Sequence, residues 1–330
     1  LSLIALSFST VGCATLDKSL ERAEPAISVP AQWQAAETSA ENQRDWVLSL
    51  GDPLLGDLIN EALNNNFNLQ AGAARVRAAL GNARVTGASR LPTLAATLDA
   101  SRSKQTLSTV SGTNNRFSLG LQSSWELDLW QRLGHRTRAA VASADASLAD
   151  YEAAQLSLAA NIAKSWFTLI ENRLQTELAN RRVDNFDATL NVISDRYMAG
   201  LSTSLDVQLA RENLATARST LVSQQRSLSG NTRALETLLG RYPAGAIEAH
   251  DELDASLERV PGQQPSSLLE RRPDLLAAKS RLISASENQI DAGRNFLTSF
   301  SLTASGGNAT REFSDLLDWD NLFSTLAAKL

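Results

Sequence analysis

HRTRAAVASADASLADYEAAQLSLAANIAKSWFTLIENRLQTELANRRVDNFDATLNVISDRYMA, running from His135 to Ala199, is 65 residues with neither a glycine nor a proline. A continuous helix of that length extends about 98 Å at 1.5 Å per residue. A compact chain of 330 residues has a radius of gyration of only about 20 Å, so such a helix must project from any globular body. Apolar residues recur along it at helical spacing: Leu148, Tyr151, Leu158, Ile162, Trp166 and Leu169, then Ile170, Leu174 and Leu178, then Phe186, Leu190, Ile193 and Tyr197. The stripe drifts from run to run, which predicts neighbours on both sides.

Ala199-Gly200-Leu201-Ser202-Thr203-Ser204 ends this helix, with Gly200 suited to the left-handed position after a helix C-terminus. Ser204 is the expected cap of the next helix. That helix carries Val207, Leu214, Leu221, Leu228 and Leu235 at seven-residue intervals, followed three residues later by Ala210, Ala217, Gln224, Asn231 and Leu238. The pattern is a coiled-coil seam whose second row is small or polar, so a partner backbone approaches closely over Ala210 and Ala217. A long antiparallel helical hairpin is predicted.

Upstream, Gly51-Asp52-Pro53 marks a turn before a helix containing Leu55, Ile59, Ala62 and Leu63, and a second helix carries Leu69, Val76 and Leu80 up to Gly87–Pro92. The period then changes to two. Leu94, Ala96, Leu98 and Ala100 alternate with Thr93, Ala95, Thr97, Asp99 and Ser101; beyond a polar loop, Ser103 to Asn115, so do Phe117, Leu119, Leu121, Trp125, Leu127 and Leu129 with polar or small neighbours. Two strands of about ten residues, apolar on one face, match the requirement of a transmembrane β-barrel, and Trp125 and Trp130 suit its interfacial aromatic girdle. The other reading is one exposed hairpin of a water-soluble α+β domain. Two strands alone leave unpaired edges, so a membrane barrel needs further strands to close it.

These further strands are announced by an internal repeat. Leu69, Ala71, Arg75, Ala79, Asn82, Leu91 and Thr97 recur identically 206 positions on as Leu275, Ala277, Arg281, Ala285, Asn288, Leu297 and Thr303. In both copies a helix gives way to a strand, at Leu94 and at Phe300. At constant offset the counterpart of Trp125 falls one position past Leu330, so a second long hairpin is expected beyond the sequence given. The expected organisation is 1–12 as part of a lipoprotein signal, 13–50 as an extended segment ordered by Trp33 and Trp46, 51–262 as the first repeat and 263–330 as an incomplete second.

A net charge of −5 with 20% charged residues supplies no basic face for nucleic acid. Only 5% of residues are aromatic, which suits close-packed, alanine-rich helices. His135 and His250 are the only histidines and lack a second ligand at metal spacing. Gly200-Leu201-Ser202-Thr203-Ser204 lacks the second glycine of a nucleophile elbow and joins two helices. No phosphate-binding glycine loop is present. Neither an enzyme nor a cofactor or metal protein is expected.

The single cysteine, Cys13, follows a short apolar run and Ser9-Thr10-Val11-Gly12. This arrangement resembles a bacterial lipoprotein signal, in which Cys13 is lipidated, with palmitate among the acyl chains; the alternative is a buried cysteine in a piece of helix. The run is too short for a transmembrane helix.

Strand pair, long helical hairpin, then the same again resembles the TolC-type outer-membrane factor family, in its lipoprotein branch of OprM-like and NodT-like efflux channels. The resemblance is carried by Trp125-Glu126-Leu127-Asp128-Leu129-Trp130, by the tip Arg196-Tyr197-Met198-Ala199-Gly200-Leu201-Ser202-Thr203-Ser204-Leu205-Asp206-Val207, and by Leu268-Leu269-Glu270-Arg271-Arg272-Pro273-Asp274 opening the second repeat. It implies an α+β membrane protein: a homotrimer whose four strands per chain build one 12-stranded β-barrel in the outer membrane, above a periplasmic α-barrel of helical hairpins. It implies an outer-membrane channel of a tripartite efflux or type I secretion system, a passive duct joined to a periplasmic adaptor (membrane fusion) protein and an inner-membrane transporter. The alternative is a lipid-anchored periplasmic coiled-coil scaffold without a pore.

By the same resemblance, Gly200, Leu201 and Ser202 form the groove that docks the adaptor, while Arg196, Tyr197 and Asp206 belong to a network at the constriction. Two structural alternatives stand beside these: Leu201 as the apolar contact of a helix cap, and Asp206 as a first-turn carboxylate favoured by the helix dipole.

Overall fold

The computed structural model describes residues 50, 52–107, 110–250, 265–318, 320 and 322–330. The proposed signal, Cys13 and the extended segment with Trp33 and Trp46 lie outside them. In chain order the elements are α1 (Pro53–Asn65), α2 (Phe67–Ala88), β1 (Thr93–Leu107), β2 (Val110–Leu127), α3 (Arg132–Met198), α4 (Ser204–Leu238), α5 (Pro265–Arg271), α6 (Pro273–Arg294), β3 (Phe300–Thr310), a 3-10 turn (Phe313–Leu317) and β4 (Leu322–Lys329).

The spine is α3, 67 residues and about 100 Å long, unbroken as its composition requires. Its first third lies between α2 and α6: Thr137 approaches Gly87 and Tyr151 packs on Gly72, while Ser284 Oγ donates to the Ala139 carbonyl at 2.9 Å. Two helices can approach this closely because the buried residues here are Ala139, Ala142, Ala146 and Ala149. Leu148, expected in the buried stripe, is 46% exposed, as Leu80 is at 45% on α2. The middle of α3 holds the apolar core, where Ile162, Trp166, Leu169 and Ile170 meet Leu55, Ile59 and Ala62 of α1 and Leu235 and Leu239 at the end of α4. The last third pairs with α4, whose seam is as expected: Val207, Ala210, Leu214, Ala217 and Leu235 are buried and the intervening seam positions half-buried.

Asp52 ties this core to the chain entering it. Its Oδ1 accepts the Leu54 and Leu55 amides at 3.0 and 3.4 Å, capping α1, and its Oδ2 accepts the Trp166 indole N–H at 2.6 Å. After α4 the chain reverses over Gly240, and Glu236, buried in the helix above, accepts the Gly245 and Ala246 amides at 2.6 Å each. These bonds, led by that from Gly245, hold its carboxyl below the usual range.

The strands form one antiparallel sheet in the order β1-β2-β3-β4. Registers of Ala96 with Leu121, Leu98 with Leu119, Trp125 with Leu302 and Ala304 with Leu326 bring the apolar positions of all four strands to one face. Much of that face is open, with Leu94, Leu98, Leu121 and Leu326 at 74, 66, 56 and 79% exposed, while the 3-10 turn covers one end of it, Phe313 standing edge-on to Phe117 and Asn308 Nδ2 donating to the Leu316 carbonyl at 3.0 Å. Eleven residues of β2, Phe117 to Leu127, pair with β3; tilted by about 40°, they cover roughly 26 Å, the height of an outer-membrane apolar band.

Three expectations are corrected. The stretch 103–115, read as a loop, continues the ladder through Ser103–Asn114 and Gln105–Gly112, because backbone pairing needs no apolar alternation where the hairpin leaves the band. β2 stops at Leu127 instead of Leu129, since Asp128 turns to cap α3. The repeat offset is also not constant: Asp99 pairs with Ser118, whereas Ser305, 206 positions beyond Asp99, pairs with Thr325. β4 is therefore displaced by 207. The helices keep the smaller offset, for α2 and α6 both span 22 residues related by 206.

Candidate functional site

Two ends of the α3 spine carry the predicted residues. At the sheet end, β2 turns into α3 through Gln131, which takes a left-handed φ of 55°. Asp128 accepts the Leu133 and Gly134 amides at 2.9 and 2.7 Å, supplying the N-terminal partners that the helix lacks. Arg132 pairs with Glu126 at 2.7 Å. The Trp125 indole donates to the Arg90 carbonyl at 3.0 Å and that of Trp130 to the Thr298 carbonyl at 2.9 Å. Each tryptophan fastens one incoming helix-to-strand link, from α2 and α6 respectively, and both keep a half-open ring at the level where strands become helices. His135, beside them, is buried with its Nδ1 2.6 Å from Glu287 of α6; it joins two repeats. Among the described residues no group of three or more His, Cys, Asp or Glu side chains is placed to hold a metal.

At the far end, α3 closes in a Schellman motif. The Gly200 amide donates to the Tyr197 carbonyl at 2.9 Å and the Leu201 amide to the Arg196 carbonyl at 2.7 Å, with Gly200 at φ +74°. The expected apolar contact of such a cap is missing: Leu201 is 70% exposed. Met198, Leu205 and Leu209 near it are 85, 65 and 49% exposed, an apolar tip wider than the single Leu201 that the sequence predicts. Leu205 and Leu209, four residues apart on one face of α4, were the available signal. Ser202 Oγ donates back to the Ile193 carbonyl at 3.2 Å, locking the turn.

Thr203, rather than Ser204, caps α4. Its Oγ1 accepts the Asp206 amide at 3.3 Å while Asp206 Oδ2 accepts the Thr203 amide at 2.8 Å and its hydroxyl at 2.7 Å. This reciprocal capping box wins because Thr203 is the last residue with extended backbone, φ −94° and ψ 160°. Within one chain, then, Asp206 is engaged by Thr203. Arg196 acts on it only through space, and Tyr197 contributes a backbone carbonyl to Gly200. The Thr203 bonds, then the Arg196 charge, hold the Asp206 carboxyl below its ordinary value. A depressed folded-state value stabilises the cap above the ordinary aspartate range, and that stability is lost as the pH falls from there through the folded-state value. Amide protection at Thr203 and Asp206 should therefore fall as the pH drops below the ordinary aspartate value of about 4 while the middle of α4 stays protected, as hydrogen exchange corrected for intrinsic rates would read.

A largely open apolar sheet face roughly as tall as a bilayer core, joined end-on to a helical rod, is a membrane architecture, and known proteins share it. The family profile described as "Outer membrane efflux protein" matches residues 58–241. The pyoverdine export outer membrane protein OpmQ of Pseudomonas putida is 30% identical over 332 aligned positions, covering 96% of this chain and 70% of that protein. The cation efflux system protein CusC of Escherichia coli is 29% identical, covering 89% of this chain and 65% of its own length. The solved open state of the Neisseria gonorrhoeae MtrE outer membrane channel superposes with a TM-score of 0.77 at 28% identity, covering 91% of this chain and 68% of that one. The profile covers β1, β2 and the helical hairpin, the relatives and solved structure nearly the whole chain, and on that ground the chain belongs to the outer membrane efflux protein family, whose members are channels for transport across the outer membrane.

Proposed function

We propose that three copies of this protein close their sheets into one twelve-stranded barrel and align their helical hairpins as a periplasmic tube, forming the passive exit duct of a tripartite efflux system. The observation that carries this reading is the four-stranded sheet with an apolar outer face and two open edges, β1 and β4. Unpaired edges are untenable in lipid, and three copies leave none. With the helices on one side of the apolar band, β1–β2 points outward from the cell and the Gly200 tip points inward, towards an inner-membrane transporter.

The tip then meets a periplasmic adaptor. Leu201 with Met198 and Leu205 is the apolar anchor, Gly200 admits a close backbone, and Ser202 keeps the turn rigid. Arg196, Tyr197 and Asp206 line the constriction between copies. Lipidation of Cys13 tethers the chain to the inner leaflet, with 13–50 leading from the anchor to the body formed by the two repeats. No catalysis belongs to this role. Relatives of near-equal similarity are named for pyoverdine, cations and toluene, which suits a common outlet whose cargo is chosen by the pump.

Leu201→Asp in the full-length protein is expected to cut adaptor cross-linking at the tip by roughly tenfold, the effect of removing one buried apolar anchor, while conductance in planar bilayers persists. Unchanged cross-linking refutes the docking role; absent conductance in the wild type refutes the duct and favours a poreless scaffold.

A further inference from the structure

We propose that β4 of one copy pairs with β1 of the next in a register that sets Lys329 directly opposite Asp99 of the neighbouring copy, an ion pair repeated at every seam of the barrel. The proposal rests on the trimeric reading above, but the register comes from the chain's own repeat. β3 is β1 displaced by 206 positions, as are the helices leading into them, and β4 is β2 displaced by 207, because Asp99 pairs with Ser118 while Ser305 pairs with Thr325. The junction between the two repeats inside one chain, β2 to β3, is thus the pattern for the junction between copies, β4 to β1. Across the internal junction Gln122 pairs with Ser305. The counterpart of Gln122 is Lys329, and the counterpart of Ser305 is Asp99.

The pair is chemically fitting. Both residues are exposed, and neither has an ion-pair partner among the described residues of a single chain. Both stand on the polar face of the sheet, Asp99 beside Ser118 and Lys329 beside Ser301, hence towards the water-filled lumen. The same register sets Ala328 opposite Ala100 and Leu326 opposite Arg102 on the outer face, so parity is kept. Alternation of apolar and polar positions excludes a slip of one residue but is blind to a slip of two. A two-residue slip would oppose Lys329 to Thr97 or to Ser101, both uncharged, so the carboxylate of Asp99 is what distinguishes the correct register. Opposite charges directly across an antiparallel pair attract, whereas lone charges at a seam do not.

The test uses the full-length protein in detergent, with its mass by light scattering as an independent readout of assembly. Asp99→Cys with Lys329→Cys should oxidise to a covalent trimer roughly tenfold faster than Thr97→Cys or Ser101→Cys with Lys329→Cys. Directly opposed Cβ atoms lie near disulfide reach, and a slip of two residues adds about 6.8 Å. Single-cysteine variants control for Cys13. Faster closure by either shifted pair, or by none while the protein is trimeric, overturns the register. A monomer by light scattering would instead sink the trimer itself. Charge exchange reads the ion pair without cysteines: Asp99→Lys or Lys329→Asp alone should weaken the heat-resistant trimer band, and the two together should restore it. Failure of the exchange to restore the band overturns the pairing.

Discussion

Asp52→Ala is expected to lower the stability of the full-length protein by about 3 kcal/mol, read as the midpoint of thermal loss of helical circular dichroism. One carboxylate performs two tasks at the centre of the molecule. Oδ1 caps α1, whose loss costs about 1 kcal/mol. Oδ2 takes the indole N–H of Trp166, a residue only 1% exposed, and an orphaned donor there costs about 1 to 3 kcal/mol. His250 stands edge-on to the same indole with ring centroids 5.8 Å apart, and its Nε2 lies 3.7 Å from Asp52 Oδ1. Asp52→Asn retains a single acceptor oxygen and should lose about half as much. Equal losses for the two variants would mean that charge, not acceptor count, matters at this position.

Gly240→Ala should cost about 3 kcal/mol or more and Gly200→Ala only about 1, although both glycines close a helix in the same way. Their φ values are +78° and +74°, so left-handed strain of about 1 to 2 kcal/mol applies to each. The surroundings differ. A methyl group at Gly240 would stand 2.5 Å from the Asn65 carbonyl oxygen and 2.9 Å from its carbon, whereas nothing lies within 4 Å of one at Gly200. The first contact is with backbone and cannot be relieved by a rotamer. It would push α4 away from the α1–α2 joint, where Asn66 Nδ2 donates to the Leu238 carbonyl at 2.9 Å and Arg241 grips Glu61. Similar melting shifts for both variants would show that close approach at Gly240 is not what the site needs.

The tip glycine is thus replaceable for folding, and its surroundings are open for a partner, while Gly240 belongs to the architecture. The same contrast separates the two ends of α4. At Thr203–Asp206 every bond is exposed to solvent, whereas Glu236 at the other end is buried over the reversal it secures.

Local chemistry made much of this protein legible in advance. Sixty-five residues without glycine or proline left α3 no choice but a continuous rod, and the strict seven-residue row from Val207 to Leu235 matched the buried seam of α4. The alternation in 93–101 and 117–129 defined the strands and their apolar face, though not the end of the second at Leu127, because a period of two has only one structural use. Harder to see were features in which a side chain serves a distant segment. Asp52 reads as an ordinary cap until Trp166 is brought against it from 114 positions away. Asp128 reads as a strand residue until the chain turns back and presents the α3 amides to it.

What the sequence by itself determined was the period of each segment, hence the rod, its seam and the membrane-type strands, since periodicity is a property of neighbours along the chain. What only the tertiary structure decided was register and partnership: the one-residue difference between the repeats, the alanine-lined contacts of α3, the exposure of Met198 and Leu201 together. Those depend on how far apart two backbones settle, and that distance is set by the packing of both surfaces at once, which no single stretch of residues contains.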